Sequence, residues 1–394
     1  MRHRKIIFVI GILAGIVILL TRCNDKNFST ADSRGDLYAG ANTCGSCHKE
    51  MVNAHKRSNH YKTSGKASNA ELKKYTSPSN NTVHYMNNGF VRVEEKQSQF
   101  FQSYILEEKE LRSEKADIAI GSAEKAQTYA YWKDGQLLQL PLTYFTALQS
   151  WTNSPGYPIT QPYFERPILS RCLECHASFA SKTDVESGPL QLTEKIDPGS
   201  IIFGIDCERC HGPAAEHVRF HRDNPSVKQA KFIVSIKALS RQQQLDLCAS
   251  CHSGNDLGVQ RTLFAFRPGD TLTNFYFPYF GTGGKEPDVH GRQAQLLQAS
   301  RCFQQSTMTC KSCHDPHQAA ENETMVFIAK CMVCHQNSEH ALQMKTDNKN
   351  CINCHMPLQV SKSLIFNNGT ENKSIPYLLT THRIAIYPEA EWSK

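Results

Sequence analysis

The chain has 394 residues, enough for two or three ordinary domains, and its 40% apolar and 21% charged composition excludes a disordered chain and a multi-span membrane protein. A formal net charge of +7 by itself admits an anionic partner such as nucleic acid or a membrane surface. The outlier is cysteine, with 16 residues beside 17 histidines.

In chain order, Arg2, His3, Arg4 and Lys5 precede an apolar run from Ile6 to Leu20. That charge order and length predict a secretion signal, too short for a comfortable membrane span. Leu20-Thr21-Arg22-Cys23 resembles a bacterial lipobox, whose cysteine is lipidated after cleavage, with Arg22 in place of the usual small residue. Lipid attachment at Cys23 is the favoured expectation; an uncleaved anchor with its body outside, or soluble export, are the alternatives. Residues 1–23 are therefore read as signal peptide or lipobox anchor, and the polar stretch 24–36 as a tether.

Residues 37–80 form a first segment around Cys44-Cys47-His48, the first CxxCH string. Residues 81–150 contain no such string and read as a small β-rich module. Thr82 to Tyr85 and Phe90 to Glu94 alternate around Asn87-Asn88-Gly89, a hairpin signal, and Phe100 to Leu106 continues as strand. A second hairpin is expected where Thr128 to Trp132 meets Leu137 to Leu140 across Lys133-Asp134-Gly135-Gln136.

Residues 151–394 hold six further strings: Cys172-Cys175-His176, Cys207-Cys210-His211, Cys248-Cys251-His252, Cys310-Cys313-His314, Cys331-Cys334-His335 and Cys351-Cys354-His355. Helices are expected over Glu50 to Tyr61, Arg241 to Ser250 and Arg292 to Gln305, with Pro- and Gly-punctuated loops between. Composition alone would produce roughly 0.03 CxxCH strings in such a chain. The string is the attachment site of c-type haem: two thiols form thioethers, and the adjacent imidazole binds iron. Zinc cages and disulfide scaffolds have no use for a histidine after every second cysteine. Seven covalent haems (haem c, iron) are the expected cofactors. Their propionates, about 14 charges, bring the ferric protein near neutrality, so the basic composition is no argument for nucleic acid.

The expected fold class is mainly short α-helices and loops wrapped around covalent haems, with the β-rich module at 81–150 and little conventional core. Trp151 and the run Phe275 to Phe280 read first as packing on haem edges, and Cys302 as a buried structural thiol.

Several patches resemble one broad superfamily, the multihaem cytochromes related to the tetrahaem cytochrome of ammonia oxidisers, hydroxylamine oxidoreductase and pentahaem nitrite reductase. They are Tyr38-Ala39-Gly40 before Cys44, Ser58-x-His60-Tyr61, Ile120-Gly121-Ser122, Leu140-Pro141 and Ser154-Pro155-Gly156-Tyr157. Later come His211-Gly212-Pro213 with His217, Ser306-x-Met308-x-Cys310, His314-Asp315-Pro316-His317, and His355-Met356-Pro357 with His382-Arg383-Ile384. The resemblance implies an extracytoplasmic electron-transfer role with bis-histidine haems in close pairs. No CxxCK string, the catalytic haem site of the nitrite reductases, is present, and the seven motifs fall short of the eight of hydroxylamine oxidoreductase.

Nine histidines remain for the sixth iron position besides His3 and the seven proximal residues. His60, His217, His317 and His382 lie in the resembling patches and are the expected distal ligands, followed by His340, His290 and His84. His340 is too close to His335 to cap that haem and would serve another. His55 and His221 each stand near a better candidate, and Met308 and Met356 are weaker still. Ile384 and Ile386 alternate with polar or small residues, predicting a short strand that pins the tail.

The functional expectation is an exported heptahaem cytochrome passing electrons along a chain of haems, with redox proteins of a respiratory chain as partners, a membrane tie through the N-terminal lipid or helix, and no nucleic acid. One alternative is a reductase of small nitrogen or sulfur oxyanions at a five-coordinate haem. Another is a docking subunit of a larger respiratory complex.

Overall fold

The computed structural model describes residues 32–387 apart from 190, 255–257, 278–286, 320–323, 339, 341–349 and 369–372. The expected signal and lipobox at 1–23, and residues 24–31 of the tether, lie outside the described residues. Among those described, no helix is long and apolar enough to cross a membrane.

The strands, in chain order, are β1 (Ser64–Lys66), β2 (Thr82–His84), β3 (Phe90–Lys96), β4 (Gln99–Leu106), β5 (Lys109–Lys115), β6 (Ile118–Ile120), β7 (Ala126–Lys133) and β8 (Gln136–Phe145). Then follow β9 (Ser150–Asn153), β10 (Arg166–Pro167), β11 (Ala177–Phe179), β12 (Lys182–Gly188), β13 (Gln191–Ile196), β14 (Ile202–Phe203), β15 (Leu358–Asn368) and β16 (Lys373–Thr380). They build a four-stranded sheet in the order β2-β3-β4-β5, and a six-stranded sheet in the order β1-β6-β7-β8-β10 with β9 also on β8. Two-stranded ribbons pair β11 with β14, β12 with β13, and β15 with β16.

This corrects the expected fold class. The chain is not mainly short helices and loops around haems; antiparallel sheet recurs through residues 64–203 and returns at 358–380. Nor is a conventional core lacking. Val91, Val93 and Phe100 of the smaller sheet pack against Tyr129, Tyr131, Leu138, Leu140, Leu142 and Trp151 of the larger. The opposite face, Ile118, Ile120, Ala130 and Leu137, packs on Ile168, Leu173 and Ala177, which belong to or flank the helix Ser170–His176. β8 is therefore covered on both sides, which is why Leu137-Leu138 and Leu140-Pro141-Leu142 run apolar without strict alternation. Trp151 belongs to this core, tilted against Tyr129 and edge-on to Tyr144 with its indole N–H donated to Tyr75 O at 3.1 Å, and so does not pack on haem edges. Phe275 is likewise buried in a small core with Leu263, Phe266 and Leu272; residues 278–280 of its run lie outside the described residues.

Three hairpins turn on two residues that both sit at positive φ: Gln97-Ser98, Glu107-Glu108 and Asp134-Gly135. That geometry matches the right-handed twist of the flanking strands. Only Asp134-Gly135 has the residue chemistry that announces it, and β5, with the sequence KELRSEK, is too polar on both faces to read as strand.

The two sheets are tied by a buried side chain. Gln102 of β4, 2% exposed, donates to Leu142 O at 2.9 Å and accepts from Leu142 N at 2.7 Å. Gln102→Ala strands both backbone groups away from water and is expected to cost about 2–4 kcal/mol. Denaturant unfolding of the purified protein checks it, and a loss below about 0.5 kcal/mol would show that the tie is unimportant.

The expected helix Arg292 to Gln305 is broken into Gln293–Gln298 and Arg301–Gln304. Ser300 leaves the helical region, and its buried hydroxyl accepts from Ile384 N at 2.8 Å, docking the C-terminal tail. The tail over 381–387 forms no strand. Ala385 clasps the last motif instead, its N–H donating to His355 O at 3.1 Å and its carbonyl meeting His355 Nδ1 at 2.8 Å. The helix expected over Glu50 to Tyr61 is shorter, Lys49–His55, because the chain turns at Arg57 and Ser58 to enter β1.

Candidate haem-binding cavity

Five of the CxxCH strings end a helix at their histidine: Ser170–His176, Cys207–His211, Arg241–His252, Thr324–His335 and Cys351–His355. Positions i, i+3 and i+4 share one helix face, so both thiols and the imidazole of each motif point the same way. Local capping sets where these helices start. Asp206 accepts from Arg209 N at 2.9 Å, Asn350 from Ile352 N at 2.9 Å, and Ser240 forms a reciprocal box with Gln243.

The motifs converge on one cavity of about 2950 Å³. A pocket for one small ligand is about 300–1,000 Å³, so this space suits several large groups. The cysteines and histidine of the first six motifs line it, and the seventh reaches it through Ile352 and Asn353. His55, His60, His217, His221, His290, His317 and His382 line it too, as do Met308, Met356 and Cys302. Cys302 is only half-buried, not the buried structural thiol expected.

Imidazoles meet in pairs, four of them across this space and the fifth, His355 with His340, beside it. Ring centres are 6.4 Å apart for His48 and His217, 6.1 Å for His211 and His317, and 6.2 Å for His314 and His382, with the rings within 25° of parallel. His252 and His60, and His355 and His340, stand at 6.2 Å with rings nearly perpendicular. Two imidazoles on opposite sides of one metal, each bonded at about 2.0 Å, have ring centres roughly 6.3 Å apart. The spacing fits a metal between each pair. His290 lies near enough to His176 to add to the lowering of its pKa, which burial dominates.

Hydrogen bonds orient these rings. Nδ1 meets Thr63 Oγ1 in His176 (2.9 Å), Val234 O in His211 (3.2 Å), Lys231 O in His217 (2.7 Å), Asp315 Oδ1 in His317 (3.1 Å) and Ser363 Oγ in His290 (3.4 Å). With Nδ1 held, Nε2 is left for a metal, the usual arrangement around metal-bound imidazole. Burial lowers the pKa of His60, His176, His211, His252 and His290, and pushes His382 down to about 4 with help from His314 and His252. Neutral rings keep the lone pair that coordination needs. His60 and His252 are deep in the protein although their rings are exposed, because the exposed surface faces the cavity.

The expected ligand His84 and the weaker candidates His55 and His221 fall outside these pairs, although the His55 ring stands 6.4 Å from that of His317, nearer perpendicular than parallel. His84 lies exposed on β2 against Phe90, 5.4 Å between ring centres, and does not line the cavity. His55 has both nitrogens engaged, Nε2 with Ile205 O at 2.7 Å and Nδ1 with Ser58 Oγ at 3.3 Å. His221 sits beside His217, ring centres 4.6 Å apart, with its Nε2 buried and unpartnered. The orienting partners Thr63, Val234, Lys231 and Ser363 carry no sequence signal, since two act through backbone carbonyls and the others are ordinary hydroxyls.

Thiols of different motifs also meet. Cys44 lies within hydrogen-bond reach of Cys207, Cys175 of Cys251, and Cys248 of Cys310. Cys331 feels both Cys313 and Cys351. Cys248 also feels Cys210, so the attachment points neighbour one another in the order first, third, fourth, fifth, sixth and seventh, with the second beside the fourth. Gly204 allows one such approach: it sits at φ +67°, and a Cβ there would collide with Tyr61 O, so only glycine lets the segment before Cys207 pass the segment after His60.

Residues 157–212 match the family model of cytochrome c554 and c-prime. The solved structure of the outer cell wall cytochrome OcwA is similar at a TM-score of 0.46 and 15% identity, covering 88% of this chain and 79% of that one. No curated protein matches the chain. The repeated CxxCH strings, the imidazole pairs and the family match define a multihaem c-type cytochrome with covalently bound haem c and an electron-transfer role.

Proposed function

We propose that this protein is an exported heptahaem cytochrome that carries electrons between redox proteins through a continuous row of haems. The observation that carries it is the set of facing imidazole pairs, four in one cavity and one beside it, each at the separation a shared metal requires. Each motif would hold one haem by two thioethers and its own histidine. His217, His60, His317, His382, His340 and His290 would supply second ligands to the irons of His48, His252, His211, His314, His355 and His176. Two neutral imidazoles close an iron to substrate and suit it to electron transfer at low potential.

The chain's contribution is to fix and insulate. Helices present thiols and imidazoles on one face, backbone carbonyls and hydroxyls hold Nδ1, and adjacent motifs keep neighbouring haems close. Haem c, when bound, supplies the one-electron couple. Export is supported by the basic-then-apolar N-terminus and by the attachment of c-type haem outside the cytoplasmic membrane; lipid at Cys23 would then tie the protein to that membrane.

Whole-protein mass spectrometry of the mature protein is expected to show seven haems resistant to acid–acetone. Six or fewer after full maturation would overturn the heptahaem reading.

A further inference from the structure

We propose that Asp315 makes the iron held by His211 and His317 more reducing than the neighbouring iron held by His48 and His217, so that an electron shared between the two rests on the first motif. The proposal rests on the reading of both ring pairs as ligands of haem iron. The two sites are closely matched. Their rings stand 6.1 and 6.4 Å apart and within 19° of parallel, and their motifs meet where Cys44 lies against Cys207. One short segment holds a ring of each: Lys231 O meets Nδ1 of His217 at 2.7 Å, and Val234 O meets Nδ1 of His211 at 3.2 Å. The buried carboxylates of Asp206 and Glu208 stand at the junction of the two motifs and so act on both irons.

What differs is the second ring of the third motif's pair. His317 Nδ1 lies 3.1 Å from Asp315 Oδ1. An ionised carboxylate only accepts, so the ring donates its Nδ1 proton and keeps Nε2 for iron. The carboxylate is held in place for this: His317 N donates to the same Oδ1 at 3.0 Å, and Gln318 Nε2 donates to Oδ2 at 3.0 Å. The Nδ1 bonds of His176, His211, His217, His290 and His355 go instead to neutral carbonyl or hydroxyl oxygens. A carboxylate draws the proton more strongly than a carbonyl does, and leaves the imidazole a stronger donor to the metal. A stronger donor favours ferric over ferrous iron and lowers the potential. Lys311, near His211, works the other way, but it is exposed and acts through solvent, where salt screens it. One electron and no proton moves from the third site to the first, which oxidises one iron and reduces the other. Electrons therefore collect at the first motif, at that end of the row.

The test is a redox titration of the holoprotein followed by electron paramagnetic resonance. The low-spin ferric signal missing from His317→Ala identifies the third iron, and the one missing from His217→Ala identifies the first. In the parent protein the third signal should disappear at a lower potential than the first. Asp315→Asn keeps an acceptor for both N–H groups and removes the charge, and the exposed position should tolerate it. The number of low-spin irons should stay the same while the third midpoint rises by about 59 mV, a tenfold change in how the electron divides between the two sites. Asp315→Glu, which keeps the charge, should recover part of the shift. Three results would each overturn the proposal: a third iron level with or above the first in the parent, an unmoved midpoint in Asp315→Asn, or a new high-spin iron in that variant. In the last case the side chain seats the ring rather than tunes the iron. Should Asp315→Asn not accumulate, the order of the two irons in the parent decides. The electron-transfer reading fails separately, if His317→Ala and His217→Ala both leave every low-spin signal in place.

Discussion

His382→Ala is expected to leave every thioether intact while the iron of His314 turns high-spin and binds added carbon monoxide or cyanide. The two rings stand 6.2 Å apart and within 25° of parallel, and burial holds His382 neutral, with its pKa down at about 4. The tail should stay in place without the imidazole, because Ile384 N is held by Ser300 Oγ and Ala385 clasps His355. Losing one strong imidazole donor should raise that haem's potential on the order of 0.1 V, within the ~0.8 V that axial ligation commands. Spectroelectrochemical titration measures it. A parent-like spectrum with unchanged ligand reactivity would remove His382 from the ligand set.

Arg34→Ala should have the largest effect on stability. The guanidinium bonds Asp32 at 3.0 Å, Asp206 at 2.7 Å and Glu208 at 3.2 Å, and the four side chains are at most 5% exposed. Glu208 in turn accepts from the backbone N–H of Ala39, Gly40 and Ala214, and Asp206 caps the helix Cys207–His211. The cluster therefore locks the approach to the first motif onto the third, where Cys44 meets Cys207. Removing the cation leaves three buried carboxylates without their counter-charge, a loss of about 3–5 kcal/mol. Arg34→Lys restores charge without the planar fork and should recover part of it. Guanidinium unfolding followed through haem absorbance decides, and a loss under about 1 kcal/mol would mean the carboxylates find water or protons instead.

Haem chemistry was legible because it is local. Cys, Cys and His at i, i+3 and i+4 act within one turn of chain, so all seven attachment strings can be read without a fold. Hairpins with Asp or Asn beside Gly were legible for the same reason. The β5 strand was not, because an edge strand keeps charge on both faces, and neither was the turn at Gln97-Ser98, whose residues do not advertise positive φ.

Ligand partnership is a matter of distance between remote segments, and there the sequence by itself decided little. It named His60, His217, His317, His382 and His340 as candidates, but only the tertiary structure set each across from a particular proximal ring and left His84 on a sheet. The same holds for the core. Apolar strands were visible along β7 and β8, yet that both faces of the larger sheet are covered, and that Trp151 lies inside rather than on the cavity, follows from how the two sheets stack. Covalent motifs and turn chemistry are properties of adjacent residues, fixed by bond geometry. Pairing between imidazoles and the helix break at Ser300 arise only when packing brings together residues far apart in the chain.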